Sequence, residues 1–122
     1  MSDYTLPRAE RLRSLTAIRR LFVEGKSGFV YPFRYVVLSD ATSAGVEVMF
    51  SVPKKFHKRA NKRNLLKRRT REAYRLNGEV LRAKCESQGV DLALVYSSKE
   101  ILSYKTIENA VERILGQVCE HL

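Results

Sequence analysis

The sequence predicts an α/β (α+β) two-layer sandwich with the element order αββαβα. Two runs, around residues 29–38 and 46–52, alternate side chains with the period of a strand. Three segments, near residues 15–24, 61–87 and 103–118, repeat apolar residues at helical spacing. A short run, Asp91–Tyr96, is apolar almost throughout and lies between the last two helical segments, as a central strand buried on both faces does.

Taken in order, Ser14 caps a helix over Leu15–Glu24, in which Leu15, Ile18, Leu21 and Phe22 share a face and Gly25 is the stop. A Lys-Ser-Gly turn leads into Phe29–Leu38, where Phe33, Tyr35 and Val37 alternate with Arg34, Val36 and Leu38. The polar stretch Ser39–Gly45 reads as a loop. Val46, Val48, Phe50 and Val52 then alternate with Glu47, Met49 and Ser51 up to Pro53. The two strands are expected to pair as an antiparallel hairpin with a long loop. A helix follows from about Asn61 to Ser87, with Asn77-Gly78 as an interruption point and Gly89 beyond its end. Its apolar spacing continues through Val80, Leu81 and Cys85. After the central strand, Ser103 starts a last helix whose apolar stripe is Ile107, Ala110, Val111, Ile114, Leu115 and Val118.

A chain of 122 residues fits one domain, 1–122, with residues 1–10 expected to be flexible. Two cysteines, Cys85 and Cys119, are too few for a disulfide framework or zinc cluster, and buried reduced thiols are the expectation. The N-terminal residues lack a secretory pattern, and the longest apolar runs fall far short of the roughly 20 residues needed to cross a bilayer. A cytoplasmic protein without a membrane partner is expected.

The net charge of +10 is concentrated. Residues 54–75 carry eleven basic side chains and one acidic, whereas residues 1–34 balance at +4 and the remainder at −4. A local excess of this kind points to a polyanion, and nucleic acid fits better than an anionic membrane because the segment has no broad aromatic or leucine face. On a helix, Asn64, Arg68, Arg71 and Arg75 fall within roughly 60° of one another, flanked by Lys62, Arg63, Lys67 and Arg69, with Leu66, Ala73 and Val80 opposite. A solvated helix face normally interleaves glutamates; here only Glu72 is present. Lys54, Lys55 and Lys58 extend the patch into the preceding loop.

Read in order, these residues resemble the bacterial ribonuclease P protein component. Its pattern is a strand ending Ser-Val-x-Lys-Lys, then a helix with an Arg-Asn-Arg core, a Lys-Arg pair and an Arg-Glu pair. This chain has Ser51-Val52-Pro53-Lys54-Lys55, Arg63-Asn64, Lys67-Arg68 and Arg71-Glu72, followed by Ala73 and Tyr74. Leu12-Arg13, Phe22, Gly25 and the strand Phe33–Leu38 match as well, so the likeness spans about residues 8–118. The third position of the Arg-Asn-Arg core is Leu65, and the loop between Lys55 and Arg63 is one residue longer than the common form.

The resemblance implies a left-handed βαβ crossover of the ribosomal-protein-like type, against the usual hand. It implies that Lys62, Arg63, Asn64, Lys67, Arg68, Arg71 and Arg75 dock on a catalytic RNA. It further implies that Arg13, Ile18, Phe22, Arg34, Val36, Lys54 and Lys55 line a cleft for the 5′ leader of precursor tRNA. Ile18 and Val36 stand where the family often has aromatics, so Tyr35 and Phe33 are the alternative stacking residues. Two RNA partners and no obligate protein partner follow, with Mg²⁺ held mainly by the RNA subunit and no organic cofactor. The chain's own residues suggest no catalytic constellation and no metal ligands: His57 and His121 have no acid or nucleophile at recognisable spacing, and His57 reads as an extra RNA contact. A ribosomal-type RNA-binding protein or RNA chaperone would share the basic helix without needing the cleft. A DNA-binding regulator lacks its short helix-turn-helix pair here.

Overall fold

The computed structural model describes residues 15–41, 45–84 and 89–120. Its elements run α1 (Leu15–Glu24), β1 (Lys26–Val30), β2 (Phe33–Ala41), β3 (Gly45–Ser51), α2 (Ala60–Asn77), α3 (Glu79–Lys84), β4 (Gly89–Tyr96) and α4 (Tyr104–Glu120). The α+β class predicted from sequence holds, with more elements than expected. The caps and thiols expected at Ser14 and Cys85 lie outside the described residues, as does the N-terminal stretch 1–10. None of the described helices is long and apolar enough to cross a membrane.

The four strands form one mixed sheet of order β1-β2-β4-β3. The expected β2–β3 hairpin is not formed, because β4 lies between these strands, antiparallel to β2 and parallel to β3. The physical reason is in β4 itself: Val90, Leu92, Ala93, Leu94 and Tyr96 are all buried, and a strand apolar on both faces gains most at the centre of a sheet. The parallel β3–β4 pair makes β3-α2-α3-β4 a crossover unit. The expected Lys-Ser-Gly turn is also replaced: Lys26–Val30 is strand β1, and the chain reverses at Tyr31-Pro32 before β2.

Residues opposite one another across paired strands share a face, which divides the sheet cleanly. Phe33 and Tyr35 of β2, Leu92, Leu94 and Tyr96 of β4, and Val46 and Val48 of β3 face α2, α3 and α4 and make the main core. The other face carries Val36, Leu38 and Ala93, covered by Leu21 of α1 with Ala17, Ile18 and Met49 alongside. The main sandwich thus has three helices on one face, and α1 sits alone on the other.

The long helix breaks at Gly78, where the backbone remains right-handed and α3 sets off afresh. This break corrects the expectation for Val80. Placed opposite the cationic stripe in a continuous helix, it is instead 61% exposed, while its neighbour Leu81 is buried. The end of α2 is held to α4 by Glu108, whose Oε2 accepts from Asn77 Nδ2 at 3.2 Å and from the Tyr104 hydroxyl at 3.1 Å. These two bonds hold the Glu108 carboxyl below its ordinary range, and burial with the Glu108 contact pushes Tyr104 up to about 12. Ser103 starts α4 as expected, its Oγ accepting from the Thr106 backbone N–H at 3.3 Å.

Candidate nucleic-acid interface

The cations of α2 are displayed by packing on its other side. Leu66, Thr70, Ala73 and Tyr74 are buried against the sheet and α4, which fixes the opposite face toward solvent. On that face Asn64 and Arg68 are exposed, and Lys62, Arg63, Lys67, Arg71 and Arg75 are half-buried. Asn61, Asn64, Leu65, Lys67, Arg68 and Arg71 together line a shallow hollow. Leu65, standing at the third position of the core motif, therefore puts an apolar side chain in the middle of the cationic face.

Several of these cations have structural duties as well. Arg63 Nη1 donates to the carbonyls of His57 at 3.0 Å and Lys58 at 2.7 Å, bracing the loop that enters the helix. Arg69 donates from Nη1 to the Leu102 carbonyl, tying α2 to the loop before α4. Arg71 lies over the Phe50 ring at 6.0 Å. Arg75 is paired with Glu72 at 2.7 Å, so its charge is largely answered within the helix. Arg68 has no ion pair or hydrogen bond among the described residues, and with Asn64 it is the most available part of the stripe.

Histidine 57 has a different place from the one expected. It is buried, its Nε2 is 2.8 Å from the Ser98 carbonyl, and its ring lies 5.7 Å from that of Tyr96. It fastens the β3–α2 loop to the end of β4 and offers no surface to an RNA. Lys54 and Lys55 in the same loop are exposed, with Lys55 Nζ 5.1 Å from the Phe56 ring. Their turn is closed by the Phe56 and His57 N–H groups donating to the Pro53 carbonyl.

The second surface lies under α1. Cross-strand register arranges this face of the sheet in rows: Leu38–Asp91–Glu47, then Val36–Ala93–Met49, then Phe29–Arg34–Val95–Ser51. Arg20 is close enough to Asp91 to act on its charge, so that side of α1 overhangs the acidic row. At about 100° per residue, Ile18 and Phe22 lie across the helix from Arg20; Ile18 packs with Val36, Leu38 and Ala93, while Phe22 is exposed. Phe22 on α1 is 46% exposed, and Arg34 is exposed on the face of the sheet that α1 covers in part. Lys54 and Lys55 follow Ser51 just beyond its β3 end.

Of the expected cleft residues, Ile18 and Phe22 lie on α1, Arg34 lies on the face of the sheet that α1 covers in part, and Arg13 is outside the described residues. Val36 must be corrected. At 4% exposure it is packing beneath α1 and not a surface for a ligand. Tyr35 and Phe33 are corrected too: both face the main core, where Tyr35 donates its hydroxyl to Gln117 Oε1 at 2.8 Å and Phe33 meets Tyr96 edge-on at 5.6 Å.

Glu47 and Asp91, in register on adjacent strands, escaped the sequence reading because each looks like a lone carboxylate. Burial raises both above the usual range; Glu47 is raised further by Asp91, while contact with Glu47 and then Arg20 pulls Asp91 partly back. One Asp91 oxygen, Oδ1, is buried without a hydrogen-bond partner. Groups whose folded pKa is raised bind more protons folded than unfolded, so their stabilisation is complete at acid pH and lost as pH rises from about 4. Asp91→Asn is expected to raise stability at pH 7 by on the order of 1 kcal/mol and to change little near pH 3. Thermal unfolding at the two pH values checks this; a lower Tm at pH 7 contradicts it.

A sheet with a cation-rich crossover helix on one side and a lone helix on the other defines a small basic α+β domain suited to a polyanion. Known proteins agree and narrow the class. Residues 6–119 match the family model described as Ribonuclease P. The ribonuclease P protein component of Porphyromonas gingivalis (strain ATCC 33277) is 36% identical over 121 residues, covering 96% of this chain and 88% of that protein. That of Chlorobaculum tepidum is 43% identical over 82 residues, covering 62% and 53%. Among solved structures, the RNase P protein of Thermotoga maritima superposes with a TM-score of 0.72 at 26% identity, covering 88% of this chain and 96% of that one. The Staphylococcus aureus RNase P protein shares the fold, with a TM-score of 0.73 at 20% identity over 91% and 96% of the two chains. The chain belongs to the ribonuclease P protein family.

Proposed function

We propose that this chain serves ribonuclease P by docking α2 on the catalytic RNA and holding the single-stranded 5′ leader of precursor tRNA in the groove under α1. It would thereby assist the Mg²⁺-dependent endonucleolytic removal of the leader. The observation that carries this reading is that the cationic face of α2 lies on one side of the sheet, while the exposed Phe22 and Arg34 belong to α1 and to the sheet face on the other. A lone RNA contact needs only α2; the second groove, with an exposed aromatic wall and an arginine floor, has the chemistry that binds unpaired nucleotides.

In this reading the phosphodiester chemistry belongs to the RNA. Among the described residues no three His, Cys, Asp or Glu side chains are grouped to hold a metal ion. In this reading the Mg²⁺ ions required for hydrolysis would be held mainly by the RNA subunit. What the protein supplies is cations at fixed positions, which relieve repulsion among crowded phosphates.

Two measurements test this. Adding the protein to its cognate RNA subunit is expected to lower the Mg²⁺ concentration needed for precursor-tRNA cleavage; no stimulation would sink the proposal and favour a ribosomal-type RNA-binding protein or chaperone. Phe22→Ala, at an exposed site that leaves the core intact, is expected to weaken holoenzyme binding of leader-bearing tRNA about tenfold and of mature tRNA by less than twofold. Equal losses for the two substrates would remove the groove from the leader's path.

A further inference from the structure

Phe29 has no part in the core. It stands on β1, an edge strand, with 59% of its surface exposed. Register places it directly opposite Arg34, so both side chains rise from the same face of the sheet, about 5 Å apart at their Cβ atoms. On that face Phe29 and Arg34 are exposed, whereas Val36, Ala93 and Leu38 in the neighbouring rows are buried with Leu21 of α1. Among the described residues, neither the Phe29 ring nor the Arg34 guanidinium has a ring contact, ion pair or hydrogen bond. Tyr31, the next exposed aromatic, is different: its hydroxyl is 3.0 Å from Ser98 Oγ.

We infer that Phe29 is a stacking platform for an unpaired base at the β1 edge, with Arg34, its cross-strand partner, beside it to meet the phosphate. The inference rests on the leader reading given above. Single-stranded RNA is the occupant that fits, because charge is segregated within the groove. The carboxyls of Glu47 and Asp91 are four residues along the strands from the open row, about 13 Å away. The open row holds Arg34, and Lys54 and Lys55 follow its β3 end, so a polyanion meets cations and an aromatic face there. An apolar protein partner would gain little from this alternation. A nucleotide chain uses both parts, placing phosphate at arginine and base on the ring.

The test uses holoenzyme reconstituted from the full chain and its cognate RNA subunit. Phe29→Ala and Phe29→Leu are each expected to weaken binding of leader-bearing tRNA about five- to tenfold, with mature tRNA unchanged and Phe29→Tyr within twofold of the original. Single abasic nucleotides moved through the leader should reveal one position whose penalty disappears in Phe29→Ala. If Phe29→Leu binds as well as the original, or all leader positions keep their penalties, stacking at Phe29 is refuted. A loss equal for precursor and mature tRNA, or a change confined to self-association of the protein alone, overturns it as well. Phe22→Ala in the same assay separates the two readings: leader affinity lost there but kept in Phe29→Ala removes only the Phe29 platform, whereas affinity kept in both removes the groove.

Discussion

Replacing Arg68 and Arg71 together by alanine is expected to weaken binding of the catalytic RNA by about 100-fold at moderate salt. Each charge-assisted phosphate contact contributes about 1.5 kcal/mol, and each cation removed lowers the salt slope of log affinity by about 1. Arg68 is exposed, and Arg71 lies over Phe50 at the margin of the same hollow, so neither removal opens a cavity in the core. Arg75→Ala should cost much less, since that guanidinium is already held by Glu72. Filter binding across a salt series checks all three changes. An unchanged slope in the double variant would mean that α2 does not face RNA phosphates. Retained thermal stability is the control, because these side chains contribute to binding and hardly to the fold.

That contrast between binding and folding explains what could be read in the sequence. α2 was legible because charge and apolar spacing sit on one helix with opposite phases, so Leu66 and Ala73 could be set against Arg68 without knowing any partner. α4 was legible for the same reason, its stripe from Ile107 to Val118 being buried as expected. β1 was not, because Lys26, Ser27 and Gly28 have neither strand propensity nor a buried face; they pair only because β2 offers an edge. The strand order differs from the expected hairpin although its clue lies in the sequence. Asp91–Tyr96 is apolar on both faces, and a strand of that kind requires a neighbour on each side, which a β2–β3 hairpin denies it. The groove suffered most, since its composition depends on register. Whether Val36 or Arg34 is covered by α1 is a matter of which row the helix crosses, and no local pattern encodes that. Nor does one encode the meeting of Glu47 with Asp91, more than forty residues apart in sequence.

Gly25 controls where α1 lies, and Gly25→Ala is expected to destabilise the fold by about 3 kcal/mol, the upper range for overpacking a fitted site. A methyl group added there would stand 2.4 Å from the Leu21 carbonyl oxygen, 2.8 Å from Val36 Cγ1 and 2.9 Å from the Val37 carbonyl oxygen. Two of those neighbours are backbone, one in α1 and one in β2, so no rotamer change relieves the contact. The Gly25 N–H also donates to the Leu21 carbonyl at 2.8 Å, ending the helix at the point where the chain turns into β1. Relief requires α1 to lift from Val36 and Leu38, which opens the smaller core and displaces Phe22 with the helix. The expected signature is therefore twofold: a markedly lower Tm, and loss of preference for leader-bearing over mature tRNA at temperatures where the variant is still folded. RNA docking through α2 should survive, because the main core that presents α2 contains none of the displaced residues. Should the variant keep its leader preference despite a lower Tm, α1 would be shown not to form a wall of the leader site.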